Sequence, residues 1–298
     1  MSIVTNFQAV PSRLFCVYAA VAEAENGLLR EQLEAWATPS SLSKRGGNEE
    51  EGGSTALFSY SLNEARRLGL VEDDGDRLRV PKTTVSGGRR NADLQGEFQS
   101  RMREVLFDPQ RAADAGQAGV LYALAWLLTK SPLLPLNFAE APQNQLREDL
   151  GEFAVKAELG STSSYQNLLY WARYLGFAVV VGDASTRRAF PDPTRAIAAV
   201  LEQVLPNQEW IEIDFFLSRL ATIYPVLEGG SVREELEAMR TTPPAADDRL
   251  SISLSLALQR LADRGSISLD AIADAKARIL DFGGGTKRAS HVRLGATE

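Results

Sequence analysis

The sequence holds one cysteine, Cys16, and one histidine, His291, in 298 residues. A single cysteine excludes an intramolecular disulfide and a cysteine-based zinc site. A single histidine leaves a His-ligated metal, or a Ser/His/Asp triad, with only one candidate. No run approaches the ~18 apolar residues that a membrane-spanning helix takes. The first residues lack a basic stretch followed by an apolar one, so no secretory signal is expected, and a reducing cytoplasm fits this cysteine usage. A basic excess is missing too. Lys and Arg number 32 against 39 Asp and Glu, which gives a net charge of −7 and a pI of about 5.1. That balance is not the footprint of a non-specific nucleic-acid binder, so any DNA contact must come from local basic patches. What the chain does have is an ordinary globular share of hydrophobic residues, 44%, and room for two or three domains of roughly 100 residues each.

One stretch occurs twice. Residues 54–70 read STALFSYSLNEARRLGL and residues 161–177 read STSSYQNLLYWARYLGF. Without a gap they match at the Ser-Thr start, at Phe58 and Tyr165, at Leu62 and Leu169, at Ala65-Arg66 and Ala172-Arg173, and at Leu68-Gly69 and Leu175-Gly176. Each copy runs on into a short apolar segment, a Gly/Asp turn, an Arg-containing return segment and a proline. Helix, glycine stop and two-stranded hairpin is the order of a winged helix-turn-helix, and an internal repeat sets the architecture before other readings do.

The rest of the chain extends the pattern. Apolar spacing predicts a helix over 11–24 and a second over 28–37, with a polar, Gly-rich loop at 40–53. Ser54 or Thr55 is expected to cap the third helix, and Asp74-Gly75 to turn the first hairpin. A linker follows at 81–93 with a basic end at Arg89 and Arg90. Helices are predicted at 94–106, 116–129, 144–155 and 161–175, then a hairpin over 177–190 with Gly182-Asp183 near its tip. Further helices are predicted at 214–224, capped by Asp214, at 231–239 and at 250–262, with a loop at 241–248. If Gly265 takes the place of Gly69 and Gly176, then Leu254, Leu258 and Leu261 fall where Phe58, Leu62 and Ala65 fall. Segments 277–282 and 289–294, around Gly283-Gly284-Gly285, then give a long third wing. The fold class expected is mainly α with small β-hairpins: tandem winged helix-turn-helix domains at 1–90, 91–205 and 206–298.

The third helix of each module is the natural recognition helix. On the first, Ser59, Tyr60, Asn63, Arg66 and Arg67 face outward, and Asn, Ser and Arg can bond base edges or phosphates in a major groove. Glu64, and Glu72, Asp73, Asp74 and Asp76 in the hairpin, would repel phosphate, so a plain solvated face is the competing account. On the second, Gln166, Asn167, Tyr170 and Arg173 face outward, while Tyr170 and Trp171 could equally bury against a neighbour. The third wing has the best basic cluster: Lys276 and Arg278 before the glycine turn, and Lys287, Arg288, His291 and Arg293 after it. Arg288, Ser290 and Val292 alternate with Ala289, His291 and Arg293, which splits the basic groups between two faces. A Gly-rich tip followed by Lys-Arg suits contact with a phosphate backbone; a solvated basic tail is the alternative. Gly283-Gly284-Gly285-Thr286-Lys287 lacks the spacing of a phosphate loop. His291 has no partner for a metal site, and nothing supplies a nucleophile with an orienting group. No catalytic, metal or cofactor site is therefore expected, and the chain reads as a non-enzyme.

The tandem winged helices, the segment Pro225-Val226-Leu227-Glu228-Gly229-Gly230, and the closing Arg288-Ala289-Ser290-His291-Val292 after a Gly-rich turn together resemble the DpdG-type component of bacterial 7-deazaguanine DNA modification and restriction clusters. The resemblance covers most of the chain and carries over no catalytic residue. It implies an accessory protein of an anti-phage defence system, working beside helicase and nuclease subunits. The expected function is a non-catalytic subunit that binds double-stranded DNA or adapts partner enzymes to it. A protein–protein scaffold, akin to the winged-helix subunits of chromosome-organising motor complexes, is the second reading; under it Trp171 or Trp210 would be protected only by a partner. A small-ligand transcription regulator is a third, and needs a pocket that sequence does not reveal.

Overall fold

The computed structural model describes residues 2–6, 8–37, 53–81, 91–183, 186–241, 246 and 248–295, with the side chains of 53–56 and 91–93 left out. The polar loop at 40–52, Arg89 and Arg90, residues 242–245 and the capping side chain of Ser54 or Thr55 lie outside the described residues. About 52% of the chain is helical, and the strands form small antiparallel sheets of two or three. Two compact units divide it: Asn6–Leu106, and Phe107–Glu298 together with Ser2–Thr5.

In the first unit, α1 (Pro11–Glu23) opens with proline at its first position, where a missing N–H costs nothing. It buries Leu14, Val17, Tyr18 and Val21. Strand β1 (Leu28–Leu29), α2 (Arg30–Ala37), α3 (Gly53–Arg67), β2 (Glu72–Asp74) and β3 (Arg77–Arg79) follow. The sheet order is β1-β3-β2, with Leu28 opposite Leu78. The 28–37 segment expected as one helix therefore starts as a strand. Gly27, at φ +74, lets β1 approach β3, since a Cβ there would lie 3.0 Å from the Leu78 carbonyl oxygen. Helix α4 (Asn91–Leu106) buries Leu94, Phe98, Met102 and Leu106 at four-residue spacing, a single face. That face packs on α1, with the Phe98 ring 5.6 Å from Phe15 and 5.4 Å from Tyr18. The helix that sequence placed in the second domain is thus packed in the first unit.

The second unit begins with α5 (Pro109–Asp114), whose N-cap Asp108 accepts from the N–H groups of Gln110 and Arg111. Helix α6 (Ala118–Leu128) is apolar all round and buried from Gly119 to Leu128 save Tyr122. Strand β4 (Leu136–Asn137) leads to α7 (Gln143–Leu150), which tightens into a 3₁₀ stretch over Gly151–Ala157. Helix α8 (Thr162–Leu175) is capped by Ser161, paired reciprocally with Ser164. Strands β5 (Ala178–Val181) and β6 (Arg188–Pro191) complete a sheet of order β4-β6-β5. Short helices α9 (Thr194–Ala198) and α10 (Leu201–Val204) precede β7 (Ile211–Glu212), α11 (Ile213–Ile223), α12 (Ser231–Ala238) and α13 (Ile252–Asp263). Strands β8 (Ile267–Asp270), β9 (Arg278–Asp281), β10 (Thr286–Ala289) and β11 (His291–Leu294) end the chain.

The long third wing is two structures. Strands β9 and β10 pair with each other around the glycine turn, Ile279 of β9 also bridging in parallel to Arg249, while β11 returns to lie between β7 and β8. Ser290 separates β10 from β11, so the expected alternation from Arg288 to Arg293 is broken there. All three three-stranded sheets share one order: the strand earliest in sequence on one edge, the strand after the glycine-ended helix on the other, and the strand latest in sequence between them. The glycines ending α3, α8 and α13 share a left-handed φ of +64, +89 and +74, and Leu254, Leu258 and Leu261 are buried as Phe58, Leu62 and Ala65 are.

Ser2–Thr5 belong to the second unit's core. Ile3 and Val4 are fully buried, the Ile3 N–H donates to Gln117 Oε1 at 2.8 Å, and Asn167 Nδ2 donates to the Ile3 carbonyl. Further along, Phe107, Phe177 and Tyr224 meet edge-on or tilted at 5.0–5.3 Å between ring centres. Among the described residues, no helix is long and apolar enough to cross a membrane.

Candidate nucleic-acid interface

On α3, Asn63 and Tyr60 are exposed, as the helical spacing predicts. Arg66 and Arg67 are half-buried and each meets a carboxylate: Arg66 pairs with Asp73 at 2.5 Å and Arg67 with Glu64 at 2.5 Å. The hairpin adds Arg79 on Asp74 at 2.9 Å. The more exposed pairs, Arg66–Asp73 and Arg79–Asp74, are worth ~0–1 kcal/mol each. They leave this surface with its positive charge matched by acids, and little field to draw phosphate.

On α8, Arg173 is exposed, and the helix carries no acidic residue. Asn167 does not face outward. It is 2% exposed, and its side-chain amide holds the Ile3 carbonyl. Trp171 is fully buried within its own unit, so it cannot be the aromatic that a partner covers.

The third cluster divides by environment. Asp214, expected as a helix cap, makes no such cap; position 212 holds the N-cap of α11. Its carboxylate takes Lys276 at 2.7 Å and Arg278 from β9. Burial works against the charge of Asp214, but hydrogen bonds from Lys276 and Arg278 outweigh it and hold the carboxyl below its ordinary range. A depressed folded pKa gives stability that is present above the unfolded value of ~3.9 and lost as pH falls through the folded one. We therefore expect Asp214→Asn to melt below wild type at pH 7, with the gap narrowing by pH 3. Thermal melts at both pH values check this; a gap of one size at both would show that the clamp contributes no charge-dependent stability.

Lys287 and Arg288, on β10 beside the Gly283–Gly285 turn, are exposed. Lys287 Nζ reaches only the neutral Gln259 Oε1, at 3.2 Å, and Arg288 has no ion-pair partner among the described residues. Arg293 is exposed on β11, its guanidinium 4.7 Å from the Trp210 ring centre, a cation–π contact. His291 is half-buried. Its Nδ1 lies 2.9 Å from Ser290 Oγ, and its register partners are the acidic Glu212 and Asp270. Ser290 is fully buried. Its N–H donates to the Asp270 carbonyl, its carbonyl accepts from Ile213, and its hydroxyl accepts from the Ile272 N–H. The motif at 288–292 is therefore in part a structural junction. The pairing of Lys276 and Arg278 with Asp214, and of Arg293 with Trp210, joins residues far apart in sequence and gives no local signal.

The family model of the DpdG-like proteins matches residues 1–275. The chain belongs to the DpdG-like family. The match takes in both repeat copies and the 225–230 segment, and ends before β9. Membership ties the chain to the DpdG modification and defence system. No curated protein and no solved structure matches this chain. The basic hairpin that carries Lys287 and Arg288 lies beyond the matched stretch, so family membership says nothing about those two residues. No group of three or more His, Cys, Asp or Glu suited to a metal is found among the described residues.

Proposed function

We propose that this chain is a non-catalytic subunit of the DpdG-system complex, acting in the bacterial cytoplasm, and that it holds double-stranded DNA for partner enzymes of the helicase or nuclease class. Its three-stranded sheets and the helices before them are read as three winged-helix modules. The shared strand order and the three left-handed helix-ending glycines support that reading. The observation that carries DNA contact is the exposure of Lys287 and Arg288 beside a Gly-rich turn, with no carboxylate on either among the described residues. Arg293 and Arg173 extend the same chemistry, whereas Arg66, Arg67, Lys276 and Arg278 are already matched to acids.

Fluorescence anisotropy of a labelled duplex across salt concentrations tests this. The wild-type affinity should fall steeply with salt. Lys287→Ala combined with Arg288→Ala should weaken binding and flatten the log–log salt slope by about 2, since each phosphate contact contributes ~0.9. No duplex binding at low salt would remove the DNA reading. The scaffold reading would then take its place, favoured by strand β5, where Val179 and Val181 are exposed on an edge of the β4-β6-β5 sheet.

A further inference from the structure

The two repeat copies share a scaffold and differ in charge. Arg173 on α8 takes the place of Arg66 on α3, and Tyr170 that of Asn63. Past the glycine, still without a gap, Glu72, Asp73 and Asp74 of β2 fall opposite Val179, Val180 and Val181 of β5. Arg66 is held by Asp73 at 2.5 Å. Its counterpart Arg173 has a valine at that place and no acid on its own helix. It is exposed and makes no ion pair among the described residues. The second copy thus keeps the arginine and lacks the acids that match it in the first.

An aromatic ring stands beside that arginine. Tyr170 lies three residues before Arg173, on the same side of the helix, and is 40% exposed. Its ring meets Phe138 edge-on at 5.4 Å between centres, and the guanidinium of Arg187, just ahead of β6, lies 4.9 Å from the centre of the same Phe138 ring. Phe138 is itself buried, so it holds both groups in place and reduces the side-chain freedom each would lose on binding. Arg187 also makes no ion pair among the described residues. Counted at any exposure, the charged residues of 136–140 and 162–191 are Arg173, Arg187 and Arg188 against Glu140 and Asp183. Glu140 accepts from Asn137 Nδ2 at 3.2 Å, and Asp183 from the Thr186 hydroxyl at 3.1 Å. The patch is slightly positive in a chain of net charge −7. That is little to hold a duplex, whose affinity comes from many phosphates and whose bases cover one another. A single strand leaves its base faces open, and a few cations beside an exposed aromatic ring suit it.

We propose that the face made by Tyr170, Arg173 and Arg187 binds a single-stranded nucleic acid, with a base stacked on Tyr170 and the flanking phosphates on the two arginines. The duplex reading centres on Lys287 and Arg288, so either can fail without the other. The test is fluorescence anisotropy of the full chain with labelled oligo(dT) of about 12 nucleotides, within the range that one such surface covers. Oligo(rU) of the same length is the second arm, and the tighter of the two names the strand. Tyr170→Ala should lower affinity ~5–100-fold, as loss of one stacked base does, while Tyr170→Phe, which keeps the ring, should stay within about twofold of wild type. Arg173→Ala should flatten the log–log salt slope by about 0.7, the share of one single-strand phosphate. Thermal melts check that these exposed positions leave the fold intact. The chain with Lys287→Ala and Arg288→Ala should keep its oligonucleotide affinity; if it does so and wild type binds no duplex, only the duplex reading falls. Three results overturn the proposal: no binding of either oligonucleotide at low salt, a folded Tyr170→Ala chain that binds as wild type does, or a loss in Tyr170→Phe equal to that in Tyr170→Ala.

Discussion

Ile3→Asp should unfold the second unit, or lower its stability by about 4 kcal/mol or more. The side chain is fully buried, together with that of Val4. Burial of an isoleucine is worth ~1.5–3 kcal/mol, and the substitution also places a carboxylate where nothing compensates it. The neighbouring backbone is fixed at both polar groups, its N–H on Gln117 at the start of α6 and its carbonyl on Asn167 of α8. Four residues thereby join two helices that are widely separated in sequence. Denaturant unfolding followed by tryptophan fluorescence reads the effect, because Trp126 and Trp171 are both buried in this unit. Ile3→Val, which deletes one methylene, should cost only ~0.5–1.5 kcal/mol. An Ile3→Asp chain as stable as wild type would mean that the segment is not docked.

The second large effect separates three residues that look equivalent. Gly69, Gly176 and Gly265 each end a helix with positive φ. At Gly69 and Gly265 an added Cβ meets nothing within 4 Å, so alanine there carries only the left-handed backbone cost of ~1–2 kcal/mol. At Gly176 the Cβ would lie 2.7 Å from the Ala196 nitrogen and 3.1 Å from the Arg195 carbonyl carbon. The start of α9 is held against this point, with the Ala196 N–H donating to the Gly176 carbonyl at 3.1 Å. Gly176→Ala must push that backbone away, and we expect a loss of roughly 3–5 kcal/mol. Denaturation midpoints of the three single variants decide the matter; three equal losses would contradict the packing described.

How much of this was legible follows from the length of each signal. Helices were readable where an apolar stripe ran several turns into a glycine, as in 161–176. The edge strands Leu28–Leu29, Leu136–Asn137 and Ile211–Glu212 are two residues long, too short to show any alternation. The stripe Leu94, Phe98, Met102, Leu106 announces a buried face without saying what buries it. Asn167 reads as a surface residue from its polarity, yet it is consumed by a backbone carbonyl from the far end of the chain. At the basic cluster, sequence located the charges, but only the fold shows that Asp214 engages Lys276 and Arg278 while Lys287 and Arg288 pair with no acid among the described residues. Arg233 gave no sequence signal either, although the fold buries it between Glu228 and Glu237.

The docking of Ser2–Thr5 beside Phe107–Glu298 has a consequence for biosynthesis. These residues leave the ribosome well ahead of the rest of their unit, since about 100 residues separate them from Phe107. At ~5–20 residues per second, roughly 5–20 seconds pass before the next part of their unit is made. The intervening Asn6–Leu106 can close on its own contacts in that time, while Ile3 and Val4 must wait with apolar side chains uncovered. Closing the second unit then spans the whole inserted stretch, a non-local contact of the kind that slows folding. A nascent chain stalled before α6 would carry a completed first unit and an unmatched apolar segment, the form most open to a chaperone.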